Sequence, residues 1–374
     1  MRLRPRVVIC GTKFGRVYLS AFHSLEFPFE LAGILARGSA RSRACAEHYG
    51  VSLFTSVDQL PDDVDIACVV VGSVMNGGSG AELARSLMAR GIHVLHEHPV
   101  HHDELAACLR QAHRFGVVYR LNTHYPHVGP IRRFTTVAKA LFEKQRPIFV
   151  DAVGSVQTAY TLFDILGRAL GGVRPWGFGE IVPLPTELSA LTGREVPFRS
   201  LDGVIAGVPL TLRIQNQLEP SNPDNHAHFF HRITFGTQGG TLTLVNTHGP
   251  ILWCPQPHLP ADTVNMVAME NSSNCYLDFP SAAPLGPTEA PSYREILKTI
   301  WPAAVRRALL EVRDAIVGRE DHLRSGQYYL TLCQLWRDAL ARLGSAVLIR
   351  RDPPRVLSAD QVMETIIREE GKLG

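Results

Sequence analysis

The chain has 374 residues, of which 45% are hydrophobic and 20% are charged, and this is enough apolar sequence for the cores of two domains of average size. The formal net charge of +3, without a dense Lys/Arg run, argues against nucleic-acid binding, and no apolar stretch is long enough to span a membrane. The apolar run at residues 7–10 is too short for a signal peptide, and the seven cysteines form no CxxC pair. We therefore expect a cytoplasmic protein with reduced thiols.

Residues 1–126 alternate short apolar runs with helical patterns. The apolar runs at residues 7–10, 30–37 and 65–72 are each followed by a turn or a helical segment, and the same order returns at residues 91–126. Continuous apolar strands that alternate with helices are typical of βαβ units, in which helices cover both faces of a parallel sheet. The pattern predicts a doubly wound α/β domain of the Rossmann type over residues 1–126.

The pattern changes after residue 126. A strand is expected at residues 146–155 and a helix at residues 161–172, and residues 198–254 show alternating strands with the Gly- and Asn-containing turns of hairpins. A loop and three helices are expected after them, at residues 271–291, 293–317, 327–343 and 359–370. We predict an α+β domain with an open, mainly antiparallel sheet over residues 127–374, which binds substrate and offers a sheet face to a second copy in a homodimer.

The turn after the first strand reads Gly11-Thr12-Lys13-Phe14-Gly15. It keeps two glycines of the G-x-G-x-x-G pattern of dinucleotide sites, and its loop is one residue shorter. It stands between a strand and a helix, where the helix N-terminus can face a phosphate, and Lys13 adds positive charge. An ordinary βα turn is the alternative interpretation.

The end of the second strand indicates which cofactor is bound. NAD enzymes usually place a carboxylate there for the ribose hydroxyls, whereas this chain has Arg37, Gly38, Ser39 and Arg41. Guanidinium and hydroxyl groups at a helix start bind a 2′-phosphate, which a carboxylate would repel. The segment therefore favours NADPH. The alternative interpretation of the same residues is an ordinary surface helix with a capping serine and solvated arginines.

Glu97-His98-Pro99 resembles the Glu-Lys-Pro signature of the glucose-fructose oxidoreductase/inositol dehydrogenase/MocA family, and the order of the two domains is similar to that of its members. Within that family the chain resembles the thiazolinyl imine reductases of siderophore biosynthesis. The matching segments are KFG at 13–15, GSARSR at 38–43, DIACVVV at 65–71, EHP at 97–99 and NTHYPH at 122–127.

The resemblance implies an activity and a partner. Those reductases use NADPH to reduce a thiazoline ring to a thiazolidine, on a substrate held as a thioester by a carrier domain of a nonribosomal peptide synthetase, as in yersiniabactin or pyochelin assembly. The cofactor-binding residues that it and the motifs imply are Gly11, Thr12, Lys13, Phe14, Gly15, Arg37, Gly38, Ser39, Arg41, Gly72, Ser73, Glu97, His98 and Thr123.

Two departures from the sugar dehydrogenases of the family concern alcohol chemistry. Their signature lysine is His98 here, and the histidine that they carry three residues before an aspartate is Thr161, before Asp164. Both changes remove groups that handle the proton of an alcohol, which argues against oxidation of polyols.

Reduction of an imine requires a proton donor within hydrogen-bond reach of the nitrogen. Tyr125 is the first candidate, because it follows a strand of the predicted Rossmann sheet and Pro126 favours an extended backbone before it. An aromatic residue packed at the domain junction is the alternative. His98 is the second candidate, as an acid or as a wall of the nicotinamide pocket. His124 and His127 flank Tyr125 and could tune it.

The other histidines suggest a metal site or a polar sheet face. Alternation places His96 and His98 on one face of a strand, with His101 and His102 nearby, but the Cys/His spacing of a structural zinc site is absent, so no metal is predicted. In the second domain, the pattern places His226 and His228 on one face of a strand that continues to His231. These three are expected to line the sheet, which could border substrate or a partner subunit.

Two other functions remain open. One is an NADP-linked reductase or dehydrogenase of the same fold that acts on a free small molecule. The other is a non-catalytic sensor that binds the nucleotide, which needs no acid at Tyr125 or His98.

Overall fold

The computed structural model describes residues 4–24, 26–71, 78–182, 184–193, 196–222, 224–257, 275–318, 322–350, 352 and 355–364. In that part of the chain no helix is long and apolar enough to cross a membrane. The six cysteines whose side chains are described there are unpaired.

Six strands form the sheet of the N-terminal part: β1 (Arg6–Cys10), β2 (Glu30–Leu35), β3 (Leu53–Phe54), β4 (Ile66–Val69), β5 (His93–Glu97) and β6 (Tyr119–Asn122). Its helices are α1 (Gly15–Ser20), α2 (Ala40–Tyr49), α3 (Ser79–Ala89) and α4 (His102–Phe115). All strands are parallel, in the order β3-β2-β1-β4-β5-β6. This is the Rossmann order, and it confirms the predicted α/β fold. The apolar strand β4 is buried at every residue, as expected for a sheet covered on both faces.

A second sheet contains eight strands: β7 (Phe149–Ser155), β8 (Trp176–Phe178), β9 (Phe198–Ile205), β10 (Val208–Gln215), β12 (His231–Thr237), β13 (Gly240–Leu244), β14 (Ile251–Pro255) and β15 (Ala283–Pro284). Their order is β15-β14-β13-β12-β7-β10-β9-β8, and every neighbouring pair is antiparallel except β7 with β10. Two short parallel strands, β11 (Gln217–Leu218) and β16 (Val347–Leu348), pair separately. The predicted, mainly antiparallel sheet is confirmed.

The remaining helices are α5 (Gly129–Lys144), α6 (Ala159–Leu170), α7 (Thr186–Thr192), α8 (Tyr293–Glu295), α9 (Trp301–Gly318) and α10 (His322–Leu343), with a π-helical turn at Ile296–Ile300. Short 3-10 turns lie at Ala21–His23, Val57–Gln59, Tyr125–His127, Val156–Thr158 and Cys275–Asp278. Residues 359–364 are also helical. Helix α6 is buried along nearly its whole length and contacts α10 and α5.

Helix α9 returns to the N-terminal sheet. Its apolar residues Val305, Leu309 and Val312 are fully buried in one cluster with Tyr18 and Leu19 of α1 and with one face of that sheet. The opposite face of the N-terminal sheet shares a continuous core with the second sheet. Helix α9, although it lies near the C-terminal end of the chain, therefore covers one face of the N-terminal sheet.

The prediction that His226 and His228 lie on a strand is wrong. Strand β12 begins only at His231, and the two histidines lie in the loop before it. The buried amide of Gln215 replaces strand pairing there, because it donates to the carbonyl of His226 (3.1 Å) and accepts from the backbone N–H of His228 (2.9 Å). The His226 ring lies 2.8 Å from the carbonyl of Gln217.

Candidate functional site

A cleft of about 570 Å³ opens at the carboxyl ends of β1 and β2. Ligands of doubly wound folds bind in a crevice at this edge of the sheet. Six residues that the sequence predicted as cofactor ligands line this cofactor cleft: Gly11, Thr12, Lys13, Arg37, Ser39 and Arg41.

Gly11 shapes the turn at the base of the cofactor cleft. Its φ of 96° lies in the left-handed region, and a Cβ atom there would meet the carbonyl oxygen of Val70 at 2.5 Å. Its N–H donates to the carbonyl of Leu35 at 2.9 Å, which ties the turn to β2. Only glycine fits this position, and the bare backbone allows a phosphate group to approach the start of α1.

One edge of the cofactor cleft is basic. Arg41 donates to the hydroxyl of Thr12 at 3.4 Å, and Arg37 also lines the cleft. Ser39 caps α2, because its hydroxyl accepts from the N–H of Ser42 at 3.3 Å. Ser39 also lines the cleft, so the capping role does not remove it from the cofactor site. No acidic side chain is found among the described residues that line the cleft. These groups fit a dinucleotide with a negatively charged ribose substituent.

The other predicted cofactor residues that the structure describes do not line the cofactor cleft. Gly15 begins α1, and Gly38 adopts a φ of 75° at the turn after β2. Phe14 faces the ring of Trp301, with centroids 6.0 Å apart. Thr123 donates to the buried Asp164 carboxylate. Gly72 and Ser73 lie outside the described residues.

Glu97 and His98 form a carboxylate–imidazole pair at the end of β5. The Nδ1 atom of His98 lies 3.0 Å from the Glu97 carboxylate and 3.2 Å from the carbonyl of Asn122, and both of these groups only accept. Nδ1 therefore donates in these contacts, and neither of them involves Nε2. The other Glu97 oxygen accepts from Tyr18 and from the Asn122 amide. The ring of His98 stacks on that of Tyr160 at 5.6 Å.

A strained turn presents Tyr125. His124 has φ 56° and ψ −64°, and the N–H of Tyr125 donates to the carbonyl of Thr123 at 2.7 Å. This is a γ-turn with positive φ, a rare conformation that costs on the order of 1–3 kcal/mol for a residue with a side chain. It redirects the chain directly after β6, so that Tyr125 points away from the strand axis.

Rings surround Tyr125. The centroids of His231 (4.8 Å), His124 (5.4 Å), Phe230 (6.1 Å) and Trp301 (6.1 Å) lie around it, and we call these five residues the Tyr125 site. Tyr125 is 9% exposed, and its hydroxyl makes no hydrogen bond within the described ranges. Burial, with smaller contributions from nearby acidic groups, raises the pKa of the phenol above its ordinary value. The site therefore holds a protonated donor without a partner.

A buried carboxylate anchors the wall of the site. Asp164 accepts from Thr123, from Arg168 at 2.9 Å and from the Tyr328 hydroxyl at 2.7 Å. Burial alone would raise the pKa of this carboxyl, but Arg168 and the hydrogen bonds hold it below the ordinary value. Both oxygens of the Asp164 carboxylate are engaged, so Asp164 links the residue after β6 to α6 and α10.

The other histidines do not assemble a metal site. His96 is fully buried beside Tyr119, at 2.9 Å from its hydroxyl, and burial lowers the pKa of His96 to about 3. His101 caps α4, and His102 lies 3.2 Å from Asp103. Among the described residues, no three His, Cys, Asp or Glu side chains are grouped so that they could hold a metal ion.

His127 and three residues that the sequence did not reveal complete the surroundings. His127 lies 3.6 Å from Glu311, and burial lowers its pKa to about 4. Tyr18, Phe230 and Trp301 were not predicted. Tyr18 lies in α1, Phe230 directly before β12 and Trp301 at the start of α9, and only tertiary packing brings them to Glu97 or to Tyr125.

Two family models match the chain. Residues 5–123 match the oxidoreductase family with an NAD-binding Rossmann fold, GFO_IDH_MocA, and residues 145–254 match the C-terminal domain of the thiazolinyl imine reductase Irp3-like proteins. A comparison with curated protein sequences gives no match.

Solved structures share the fold over more than nine-tenths of the chain. KijD10, a 3-ketoreductase from Actinomadura kijaniata in complex with NADP, is 17% identical, with a TM-score of 0.62 over 93% of this chain and 100% of that one. GenD2 from gentamicin A biosynthesis, in complex with NAD, is 13% identical, with a TM-score of 0.62 over 91% and 95%.

A third structure, the UDP-N-acetylglucosamine 3-dehydrogenase GnnA from Acidithiobacillus ferrooxidans, is 14% identical, with a TM-score of 0.59 over 92% of this chain and 100% of that one. At these identities the likeness shows the fold alone. The two family models match separate parts of the chain, and Tyr125 lies in the interval between them. Residues 5–123 therefore belong to the oxidoreductase family with an NAD-binding Rossmann fold, GFO_IDH_MocA, and residues 145–254 are similar to the C-terminal domain of the thiazolinyl imine reductase Irp3-like proteins.

Proposed function

We propose that the protein reduces the C=N bond of a thiazoline to a thiazolidine, with NADPH as the reductant, on a siderophore intermediate tethered to a carrier domain of a nonribosomal peptide synthetase. The observation that carries the proposal is the match of residues 145–254 to the Irp3-like reductases. The buried phenol of Tyr125, which has no hydrogen-bond partner among the described residues, has the matching chemistry, because an imine nitrogen must receive a proton.

The basic edge of the cofactor cleft supports NADPH over NADH. Arg37 and Arg41 line the cleft with Ser39, where an NAD enzyme places a carboxylate. A guanidinium–phosphate contact at this edge would favour the cofactor with the 2′-phosphate. The backbone around Gly11 would receive the pyrophosphate at the start of α1.

Tyr125 and His98 are the candidates for the proton chemistry in this proposal. NADPH, when bound, would supply the hydride for the ring carbon. The Tyr125 hydroxyl donates its proton to the ring nitrogen, and burial keeps the phenol protonated until it reacts. His98, whose Nδ1 is held by Glu97, is the second candidate for the proton donor or a wall of the nicotinamide pocket. The rings of Phe230 and Trp301 exclude water from Tyr125.

The same proposal includes a carrier-domain partner, a homodimer, a cytoplasmic location and the domain division at residue 126. One assay distinguishes the proposed function from the alternative functions. Purified protein is mixed with NADPH and a synthetic aryl-thiazoline loaded on a carrier domain, and the mass of the tethered acyl chain is followed. We expect the acyl chain to gain one hydride and one proton while the NADPH absorbance falls.

Two outcomes would contradict the proposal. NADPH that binds but is never consumed, with this substrate or with a free thiazoline, would indicate a sensor. Efficient reduction of NADP by inositol or a glucose-type sugar would indicate a polyol dehydrogenase, in spite of His98 and Thr161.

A further inference from the structure

A buried imidazole outside the cofactor cleft contacts Tyr125. His231 is the first residue of β12 and is fully buried. Its ring lies 4.8 Å from the Tyr125 ring, with the two planes 64° apart, and this is the shortest of the ring contacts around Tyr125. Its two nitrogens face Thr161 of α6 and Thr247 of the segment after β13.

The threonines fix the tautomer of His231. The hydroxyl of Thr161 donates to the carbonyl of Thr158 at 2.8 Å. Because a hydroxyl has one proton, the Thr161 oxygen must accept at its 2.6 Å contact with Nε2 of His231. Nε2 therefore carries the ring proton, and Nδ1 accepts from the hydroxyl of Thr247 at 3.2 Å.

The imidazole of His231 is neutral and fully engaged. Burial lowers its pKa to about 3, so it carries no charge near neutral pH. Both of its nitrogens are occupied by threonine hydroxyls, so it has no proton to give to a substrate. Besides these two hydrogen bonds, His231 makes an edge-to-face ring contact with Tyr125.

The orientation of Tyr125 depends on packing. Its hydroxyl has no hydrogen-bond partner in the described part of the chain, so no polar contact there holds the ring in place. A ring that is held only by neighbouring rings moves when one of them loosens, and small displacements of a reacting group are costly for catalysis.

We propose that His231 is a positioning residue, which holds the Tyr125 ring in its reactive orientation and is itself locked between Thr161 and Thr247. The inference rests on the proposed role of Tyr125 as the proton donor. It assigns a task to α6, where Thr161 shapes the site through His231 and does not touch the substrate.

The first test is Thr161→Val, which keeps the shape of the side chain but removes the acceptor for Nε2–H. We expect the single-turnover rate to fall on the order of 10- to 100-fold, with the KM for NADPH unchanged. Thr161→Ser restores the hydroxyl and should recover most of the rate. Thr234→Val is the matched control, because Thr234 bonds Thr243 at 3.0 Å on the opposite face of β12 from His231. It should keep the native rate.

A double-mutant cycle separates positioning from simple stabilisation. In a Tyr125→Phe background there is no proton donor left to position, so Thr161→Val should cause no further loss of rate. An equal loss in both backgrounds would overturn the proposal. If Thr161→Val does not fold, His231→Gln provides the same cycle, since it keeps a donor near the Nε2 position and lacks the ring.

A second readout needs no substrate and so distinguishes a failure of this inference from a failure of the proposed function. 3-Fluorotyrosine is placed at position 125, and its ¹⁹F resonance is recorded. We expect one sharp resonance in the native protein and in Thr234→Val, and a broadened or split one in Thr161→Val. An unchanged resonance would overturn the positioning role, whereas absent thiazoline reduction with the expected resonances would overturn only the proposed function.

Discussion

The cofactor cleft and the Tyr125 site are built in opposite ways. The cleft takes its predicted ligands from two short stretches, residues 11–13 and 37–41, which follow consecutive strands of one sheet. The Tyr125 site takes its rings from residues that are up to 177 positions apart in the chain, between His124 and Trp301. The cleft is open and cationic, and the Tyr125 site is closed and uncharged.

The difference follows from the chemistry that each region can perform. A phosphate brings its own charge, so the cofactor cleft needs exposed guanidinium groups. A phenol that must keep its proton needs the reverse, because burial among neutral rings disfavours the phenolate. In the proposed function, specificity for the cofactor therefore depends on charge, and protonation by Tyr125 depends on desolvation.

The largest expected effect is at the Tyr125 site. Tyr125→Phe keeps the ring and its packing but removes the proton, so kcat should fall by about 10²- to 10⁴-fold, or about 3–5 kcal/mol of barrier. Cofactor affinity should not change, because Tyr125 is not part of the cofactor cleft. Single-turnover kinetics would measure the loss of rate, and fluorescence titration with NADPH would measure the cofactor affinity.

His98→Ala and the double variant sharpen this prediction. Strong non-additivity of the two substitutions would mean that Tyr125 and His98 act as a unit. A Tyr125→Phe enzyme with near-native kcat would assign Tyr125 to packing and leave His98 or a water molecule as the proton source.

The next effect is at the basic edge of the cofactor cleft. Arg41→Ala should mainly raise the KM for NADPH, since a charge-assisted phosphate contact contributes on the order of 1.5–3 kcal/mol. The KM for NADH should stay the same. Arg43→Ala is the matched control, because Arg43 donates to the carbonyl of Gly38 and does not line the cleft. Equal turnover of the native enzyme with NADH and NADPH would show that Arg41 does not select the cofactor.

The third prediction concerns the free energy of unfolding, which should depend on pH because of the buried histidines. Burial lowers the pKa values of His96, His124 and His231 to about 3, against about 6.5 in the unfolded chain. Between these values the unfolded state binds more protons. The free energy of unfolding is therefore highest above about pH 6.5. It falls as the pH falls towards 3, by up to about 1.4 kcal/mol per pH unit for each of these histidines.

Urea unfolding between pH 7 and pH 4.5 would measure this dependence. His96→Asn should reduce the slope of unfolding free energy against pH, since it removes one titrating group outside the Tyr125 site. His113→Gln, at an exposed position of α4, should leave the slope unchanged. A native slope near zero would mean that the histidines are protonated in the folded state.

The sequence predicted what local patterns determine. Strand–helix alternation specified the first sheet, and turns with glycine specified the hairpins of the second, as with Ala206 and Gly207, which connect β9 and β10 with positive φ. The cleft residues were predictable because a turn and a strand end are each read from a few neighbouring residues. The roles assigned to Tyr125 and to the cofactor ligands remain predictions.

What the sequence could not predict depends on tertiary contacts. The pattern from His226 to His231 alternates like a strand, yet the amide of Gln215 takes the backbone groups that a ladder would use. Likewise, nothing in the segment around Thr161 indicates a hydrogen bond to His231, which lies 70 residues later. Such pairs become visible only when the sheets are assembled.

Helix α9 has a consequence for the synthesis of the protein. The face of the first sheet that it covers, with Tyr18 and Leu19, leaves the ribosome long before Val305 and Leu309 do. About 180 residues separate the end of β6 from the start of α9, so at about 5–20 residues per second this apolar face waits roughly 10–40 s for its partner. The nascent chain in that interval is a substrate for chaperones, and a chain that is truncated after residue 300 should bind them permanently and be digested rapidly by protease.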